Sequence, residues 1–342
     1  MNKKFNDICT DALRVLSPRA RDCVQRRFGI GHTDAQTLDA IGKQHDITRE
    51  RVRQVVRASL LQIHEKANEE YHAAQSSIEG YVRAHGGIVH AQRLFEAFEQ
   101  KQGADSGVMK FFITASQEVL LVDKHKIHPI EPSVHVADFN FEKWDALHKD
   151  AHHFFEDRKT VVSEKDLYAV LAKKHKHLDD VHIKEYLHAS KEIAKNPFGH
   201  WGVSLWSEVK PRSIRDKVFL ILTHSEEPLH FRDIALAIDK KKLGKGSRKT
   251  HPQTVHNELI KDSSFVLVGR GTYALASQGY MKGKVKDLVI NILEDAGQPL
   301  SAEQVIERVL DQRTVKPATV KINLNAVAKN DNGNYTLKKD SK

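Results

Sequence analysis

Residues 37–63, TLDAIGKQHDITRERVRQVVRASLLQI, contain two helical patterns separated by a short turn. In the first pattern, Leu38 and Ile41 are spaced as on one face of a helix, and Thr37 before them is a favoured N-cap residue. Residues 46–47 interrupt the pattern. The stretch therefore predicts a helix-turn-helix.

The second helix of this stretch is predicted to begin behind Thr48 and to have one apolar and one polar face. The apolar face has residues at spacings of three and four, namely Val52, Val55, Val56, Ser59, Leu60 and Ile63. The residues expected to contact DNA are Thr48, Arg49, Glu50, Arg51, Arg53, Gln54 and Arg57. Arginine can bind guanine or phosphate with two hydrogen bonds, glutamine can pair with adenine, and glutamate can accept from cytosine. Because the start of this helix enters the major groove in such motifs, the pattern favours DNA binding over a merely solvated charged face.

Three segments around the helix-turn-helix carry a resemblance to a known family. They are LSPRARDCVQRRFG at residues 16–29, TLDAIG at 37–42 and ITRERVRQ at 47–54. Over residues 16–63 the chain closely resembles region 4 of housekeeping-type bacterial sigma factors. The resemblance implies a domain that recognises the upstream, −35-type promoter hexamer in double-stranded DNA and contacts the flap of the RNA polymerase β subunit. It also implies DNA-reading positions at Arg49, Glu50, Arg53 and Gln54.

An internal repeat of about 70 residues follows the helix-turn-helix. Four helical segments align, and their matching apolar residues are Leu94, Leu167, Ile234 and Val305. These residues lie 73, 67 and 71 positions apart. The sequences GTYAL at 271–275 and GNYTL at 333–337 are typical of the second strand of a hairpin, since glycine permits the turn before it. Three helices closed by a hairpin predict a winged helix in each repeat.

The predicted fold class is therefore mainly α with small β-hairpins, a sigma region 4-type helix-turn-helix followed by tandem winged-helix domains. The predicted limits are 1–75 for the helix-turn-helix domain and 76–130, 142–207, 213–276 and 283–338 for the winged-helix units. Linkers are expected at residues 131–141, 207–212 and 277–283.

Several finer expectations concern the first two winged-helix units. The DNA-reading helix is expected to continue beyond residue 66 toward Ala74, and the first hairpin is expected within residues 119–127. The third helices of the first and second units, at residues 105–115 and 179–194, have mixed or acidic charge. That charge favours contact with protein rather than DNA at these helices.

The third winged-helix unit carries a further resemblance. Its segments SIRDKV at 213–218, PLHFRDIA at 228–235 and PQTVHNEL at 252–259, together with residues 265–275, are similar to the HARE-HTH domain. That winged-helix family occurs in the RNA polymerase delta subunit, in some restriction systems and in chromatin proteins, which implies DNA-linked or protein-contact roles. A basic run before the third helix is either a solvated loop or a set of phosphate contacts. The candidate contacts are Lys240, Lys241, Lys242, Lys245, Arg248 and Lys249.

The composition of the 342-residue chain suits a nucleic-acid partner. It has 54 Lys and Arg against 45 Asp and Glu, a net charge of +9 and a pI of about 9.3. Cys9 and Cys23 are too few for a disulfide scaffold and are expected to be buried free thiols. No apolar run reaches about 18 residues and no signal peptide is present, so we expect no membrane partner and a cytoplasmic, nucleoid-associated location.

The chain has no catalytic or nucleotide-binding motif, so we expect neither enzyme activity nor a cofactor. The 21 histidines form no structural-zinc pattern with cysteine or paired carboxylates, and no metal site is expected.

Two functional hypotheses follow. The first is a DNA-binding transcription protein that reads a promoter-type site with the helix-turn-helix, extends the contact through its winged helices and docks on RNA polymerase. The alternative is an accessory or protein-interaction module of RNA polymerase, whose winged helices bind protein and which reads little DNA sequence. A fragment of a restriction or modification enzyme is disfavoured, because the chain lacks a nuclease-type cluster of carboxylates and lysine. Nothing in the chain resembles region 2 of the sigma family, which melts promoter DNA, so neither hypothesis includes DNA opening.

Overall fold

The computed structural model describes residues 3–31, 34–244, 249–280, 283–313 and 315–338. The chain folds into two compact units, Met1–Leu205 and Trp206–Lys342. Helices predominate, and the strands of the described residues form four antiparallel sheets of three strands each. None of the described helices combines the length and the hydropathy of a bilayer span. The predicted fold class is confirmed.

The helix-turn-helix forms as predicted, with side-chain caps that fix where its helices start. The hydroxyls of Thr37 and Thr48 each accept a hydrogen bond from the backbone N–H three residues on, at 3.2 Å in both cases. Gly42 makes room for the turn, because a Cβ there would lie 2.6 Å from the Ile47 carbonyl oxygen. The helices of this part are α1 (Phe5–Ala12), α2 (Pro18–Phe28), α3 (Leu38–His45) and α4 (Arg49–Lys66), with a 3-10 turn at Leu13–Val15.

The predicted extension of α4 toward Ala74 is wrong, because the helix ends at Lys66. The Asn68 side chain accepts a hydrogen bond from the Tyr71 N–H at 3.1 Å and so caps a new helix, α5 (Glu69–Ala84). Two glutamates in the first turn of α5 favour the same start, since negative charge is stabilised at a helix N-terminus. Thus α5 is the first helix of the next unit rather than the end of α4.

The hairpin of the first winged helix lies elsewhere than predicted. Its strands are β1 (Ile88–His90), β2 (Val119–Val122) and β3 (Ser133–Val136), and β3 is the central strand. The expected second strand within residues 119–127 is wrong, since β3 occupies part of the segment predicted as a linker. All four β3 residues are buried, including the polar Ser133 and His135, so burial here does not follow the polar–apolar alternation of the sequence. Two further helices complete the unit, α6 (Ala91–Gln102) and α7 (Ser106–Ala115).

The helix-turn-helix and the first winged helix share one continuous hydrophobic core. At its centre, the ring of Phe5 lies 5.4 Å from Phe98 and 5.2 Å from Phe112, both edge to face. The ring of Phe28 on α2 meets Phe111 at 5.9 Å. Each such pair contributes about 0.5–1.5 kcal/mol beyond the area that it buries. The N-terminal helix therefore fastens the two predicted domains together.

The second winged helix follows without a free linker. Its elements are α8 (Phe141–Arg158), β4 (Val162–Ser163), α9 (Glu164–Lys174), α10 (Asp180–His188), β5 (Ile193–Lys195) and β6 (His200–Val203). Ahead of it, Ile130 forms an antiparallel bridge with Ser190, and the Glu131 N–H donates to the Ala189 carbonyl at 2.8 Å. The start of the predicted linker is thus hydrogen-bonded to the second winged helix.

The second compact unit contains the third and fourth winged helices. The third has α11 (Ile214–Thr223), β7 (Leu229–His230), α12 (Phe231–Lys240), α13 (Pro252–Lys261), β8 (Phe265–Gly269) and β9 (Thr272–Leu275). The fourth has α14 (Val285–Ala296), β10 (Leu300–Ser301), α15 (Ala302–Gln312), α16 (Pro317–Val327), β11 (Ala328–Asp331) and β12 (Asn334–Leu337). In all four sheets the last strand pairs with both others. The final hairpin turns through Asn332 and Gly333, both at positive φ, as a type I′ turn requires.

Candidate nucleic-acid interface

One side of α4 faces the core and the other faces solvent. Val52, Val56, Ser59, Leu60 and Ile63 are buried. The residues predicted to contact DNA are all exposed, namely Thr48, Arg49, Glu50, Arg51, Arg53, Gln54 and Arg57. The structure therefore brings these residues together on the first turns of one helix.

The side chains on this face are held by hydrogen bonds to one another. Arg53 donates to Glu50 twice, from Nη2 to Oε1 at 2.6 Å and from Nε to Oε2 at 2.8 Å. This bond to Arg53 lowers the pKa of the Glu50 carboxyl, so the carboxylate stays charged at neutral pH. Arg51 donates to the Gln54 amide oxygen at 3.2 Å. The face thus presents four arginines against one glutamate, with two of the base-reading candidates already oriented.

Helix α2 holds the end of α3, and with it the start of α4, in place. Arg19 donates from Nη2 to the His45 carbonyl at 2.6 Å, and the His45 ring is 2.7 Å from the Asp22 carboxylate. Arg26 donates to the same carboxylate at 2.8 Å. Burial raises the pKa of Asp22, but the hydrogen bonds from Arg26 and His45 outweigh it, and the net shift is downward. Sequence patterns carry no direct signal for this network, because Asp22 and His45 come from two helices 23 positions apart.

A groove beside the helix-turn-helix adds a residue that sequence reasoning missed. Its walls include Arg27 at the end of α2, Thr37 at the start of α3 and Arg49 at the start of α4. Arg27 donates to the Gln36 carbonyl at 3.2 Å. Two arginines beside one groove, which Asp39 also lines, can bind a phosphate. Only the fold shows this, since Arg27 is distant in sequence from Arg49.

The third helix of the first winged helix packs mostly within the chain. Nearly every side of α7 is apolar, and its buried residues are Val108, Met109, Phe111, Phe112, Ile113 and Ala115. A Cβ on Gly107 would lie 2.3 Å from the Phe28 carbonyl oxygen, so the α7 backbone lies directly against the end of α2. The helix-turn-helix therefore covers the apolar side of α7, whereas Ser106, Lys110 and Thr114 are exposed. Contact with another protein through this helix stays a prediction.

The third helix of the second winged helix also packs within the chain. Its predicted range, 179–194, contains α10 and then a strand. A Cβ on Gly86 would lie 2.9 Å from the His182 ring and 3.1 Å from the Tyr186 ring. The Glu185 carboxylate, with its side chain 3% exposed, accepts a hydrogen bond from Arg93 of the first winged helix at 2.7 Å. One face of α10 is therefore committed to the first winged helix.

The basic run of the third winged helix is exposed in its described part. Lys240, Lys241, Lys242 and Lys249 are exposed, while Lys245 and Arg248 lie outside the described residues. The Asp239 carboxylate accepts from the Thr250 backbone N–H at 2.9 Å and from its hydroxyl at 2.7 Å. This clamp brings the two ends of the run together, so its lysines emerge from one place on the surface.

The described residues hold no cluster of three or more side chains that could bind a metal ion. Some histidines instead have carboxylate neighbours, as in the 2.9 Å contact of His175 with Asp150.

Cys9 and Cys23 are buried free thiols, as predicted. Burial raises the pKa of the Cys9 thiol, which keeps it protonated.

Comparison with known proteins identifies two segments. Residues 12–65 match the family model for sigma-70, region 4. Residues 212–278 match the HARE-HTH model, a helix-turn-helix domain whose description includes ASXL and restriction endonucleases. Both resemblances inferred from the sequence are thereby confirmed. The matched families are DNA-binding domains and not enzymes.

Curated relatives match over a short segment. The RNA polymerase principal sigma factor HrdD of Streptomyces coelicolor is 36% identical over 59 residues, which are 17% of this chain and 18% of that protein. The RNA polymerase sigma factor RpoD of Neisseria gonorrhoeae is 36% identical over 55 residues, 16% of this chain and 9% of that protein. The chain thus spans less than a fifth of the length of these relatives. Its N-terminal part is a sigma-like DNA-binding domain.

Proposed function

We propose that this chain is a transcription protein that recognises a −35-type promoter hexamer in duplex DNA through α4. The exposed polar face of α4 carries the proposal, because all seven DNA-contact candidates stand on it together. The match of residues 12–65 to sigma-70 region 4 supports the same use of this helix.

The start of α4 would lie in the major groove, where each base pair presents its own pattern of donors and acceptors. Arg49 can donate two hydrogen bonds to guanine, and Gln54 can pair with adenine. Glu50, oriented by Arg53, can accept from cytosine. Arg57 and Arg27 would bind phosphates, which fixes the register without reading sequence.

The third winged helix would add phosphate contacts to this reader. We propose that Lys240, Lys241, Lys242 and Lys249 bind the DNA backbone, and the sequence extends the proposal to Lys245 and Arg248. Linked modules that bind one duplex raise each other's effective concentration, so none of them needs high affinity alone.

Association with RNA polymerase, through its β flap or core, is the second part of the proposal. It rests on the matched relatives, which are RNA polymerase sigma factors by name. A protein that binds promoters and polymerase would be nucleoid-associated. We further propose the domain limits given above as the units that carry these roles, with the first winged-helix unit extended to begin at α5 and to include β3.

Sequence preference tests the DNA reader. Binding of the full chain to a duplex with a housekeeping-type upstream hexamer is compared with binding to a scrambled duplex at fixed salt. Arg49→Ala and Gln54→Ala should each reduce the preference by about 1–3 kcal/mol, the value of a good base contact. Arg308→Ala, which removes an exposed arginine from α15, is the matched control. Unchanged preference in both α4 variants would refute specific reading.

A second candidate function is an accessory module that binds polymerase and reads little DNA sequence. The packing of α7 and α10 inside the first unit favours it, because two winged helices then cannot offer these faces to DNA. Capture of core polymerase after nuclease treatment separates the two. Capture that persists without DNA, combined with no sequence preference, would establish the accessory role.

A further inference from the structure

The four winged helices differ in what their third helices present. Helix α7 is buried against the helix-turn-helix, and one face of α10 is packed on the first winged helix. Helices α13 and α16, in the second compact unit, both keep polar exposed faces. The charges on these two faces are different.

Acidic side chains interrupt α13 but not α16. Glu258 lies within α13, and Asp262 directly follows it and is paired with Arg215. By contrast, α16 contains no Asp or Glu, and residues 316–338 carry four lysines against the single Asp331. An acid-free helix flanked by Lys316 on one side and by Lys329 and Lys338 on the other complements a polyanion.

The exposed face of α16 also has the side chains that contact base edges. Val320, Leu324 and Val327 anchor the helix in the core. On the other side are Thr319, Lys321, Ile322 and Asn325, all exposed. Ile322 is 71% exposed, which is unusual for a large apolar residue. Asparagine can pair with adenine, and an apolar group can contact the thymine methyl in the same groove.

A groove continues this surface onto the third winged helix. It is lined on one side by the β8–β9 turn, including Arg270, and on the other by Lys316 and Thr319 at the start of α16. Arg270 and Lys316 are both exposed. Arg313, in the wall, donates to the Gly283 carbonyl and so ties the start of α14 to this site. The two winged helices thus combine their positive charge at one place.

Carboxylates near this surface offset part of its positive charge. Glu303 at the start of α15 has a lowered pKa, chiefly from hydrogen bonds to its own backbone and to Ser301 and, to a smaller extent, from Lys321. Asp331 is exposed in the final hairpin. Against them stand Lys316, Lys321, Lys329, Lys338 and Arg270.

From this surface we infer that α16, its hairpin and Arg270 form a second duplex-DNA binding surface, separate from α4. It binds the backbone through lysine and arginine and places Ile322 and Asn325 in the major groove. The inference does not depend on promoter reading by α4. It adds a base-contacting surface to the second compact unit, beyond the phosphate contacts proposed for Lys240, Lys241, Lys242 and Lys249.

The test measures binding of the full chain to a labelled duplex of random sequence across a range of salt concentrations. The double variant Lys316→Ala with Lys321→Ala should bind more weakly. The slope of log affinity against log salt concentration should also become less steep, by about 0.9 for each phosphate that the variant no longer binds. The control double variant, Lys173→Ala with Lys176→Ala, removes the same charge from exposed positions outside this surface and should leave the slope unchanged.

A gain-of-affinity variant guards against misfolding as an explanation. Asp331→Asn removes the opposing carboxylate and should strengthen binding, which damaged protein would not do. If the lysine variant and the control give the same slope, the DNA surface is refuted. If the lysine variant loses capture of core polymerase while DNA binding is intact, the surface binds protein and the inference is also wrong. The preference for the hexamer, measured in parallel, depends on α4 alone. The experiment can therefore refute either proposal without refuting the other.

Discussion

Arg93 and Glu185 form an ion pair across the junction of the first two winged helices, with Arg93 Nη2 2.7 Å and Nε 3.3 Å from the carboxylate oxygens. The Glu185 side chain is 3% exposed, whereas Arg93 is partly open to solvent. A buried carboxylate depends on its partner, because desolvation otherwise disfavours its charge. This pair therefore fixes α10 against the first winged helix.

Removal of Arg93 should loosen this junction. Arg93→Ala leaves the Glu185 carboxylate buried and unpaired, and we expect a loss of about 2–3 kcal/mol in local stability. Faster hydrogen exchange of the α10 amides would report it. Arg83→Ala is the matched control, since Arg83 is exposed and pairs with Glu79 and Asp138 on the surface. Such surface pairs contribute about 0–1 kcal/mol, so equal effects of the two variants would contradict the role of the Arg93 pair.

Replacement of two helical glycines by alanine should change the stability of the chain in opposite directions. Gly107→Ala places a methyl group 2.3 Å from the Phe28 carbonyl oxygen, so α7 must move away from the helix-turn-helix. We expect destabilisation of about 1–3 kcal/mol. Gly80→Ala on α5 meets no atom within 4 Å and should stabilise the chain by about 0.5–1 kcal/mol. Chemical denaturation measures both, and stabilisation by Gly107→Ala would show that α7 is not packed as described.

Local patterns were enough to predict helix α4. The spacing of Val52, Val56 and Leu60 determined its buried side, and the cap at Thr48 determined its start. Once the buried side of α4 was determined, the remaining polar positions had to face solvent. The candidate contact residues are therefore exposed together. The fold class was predictable for the same reason, since each repeat carries its own helical periods and turn glycines.

Long-range packing was not predictable from these patterns. Strand β3 contains the polar Ser133 and His135 although it is buried on both faces, so its residues resembled a polar linker. The capping role of Asn68 was overlooked, because the apolar spacing of α4 continues across it. The burial of α7 depends on a partner surface more than 70 residues away in sequence at Phe28. Arg27 became a candidate only when the fold brought it beside Arg49.

The second winged helix should lose stability in acid through His188. Burial, followed by the nearby positive charge of Arg93, lowers the pKa of His188 to about 3. In the unfolded chain the ring titrates near a pH of about 6.5. Because the folded value is the lower one, the neutral ring contributes stability that is complete above about pH 6.5 and is lost as the pH falls toward 3.

His188→Gln removes this titration and should flatten the dependence of stability on pH over the same window. Denaturation of the full chain at a series of pH values, monitored through the fluorescence of the buried Trp144 and Trp201, measures it. His153→Gln, an exposed histidine on α8, is the control and should leave the dependence as it is. If the stability of His188→Gln depended on pH as strongly as that of the wild-type protein, His188 would not be the source of the acid sensitivity.

On the exposed face of α4, the native Glu50 side chain should increase the preference for the hexamer and should reduce the overall affinity for DNA. Its carboxylate holds Arg53 by two hydrogen bonds and faces the same side as four arginines. Glu50→Gln removes one negative charge near the phosphates and releases Arg53 to bind them, so affinity for a scrambled duplex should rise, with a steeper salt dependence by about 0.9. The preference for the hexamer should fall by about 1–3 kcal/mol, because the contact to cytosine is weakened. Glu65→Gln, further along α4 and exposed, serves as the control for charge alone. If Glu50→Gln and Glu65→Gln change affinity and preference equally, Glu50 acts only through its charge and does not read a base.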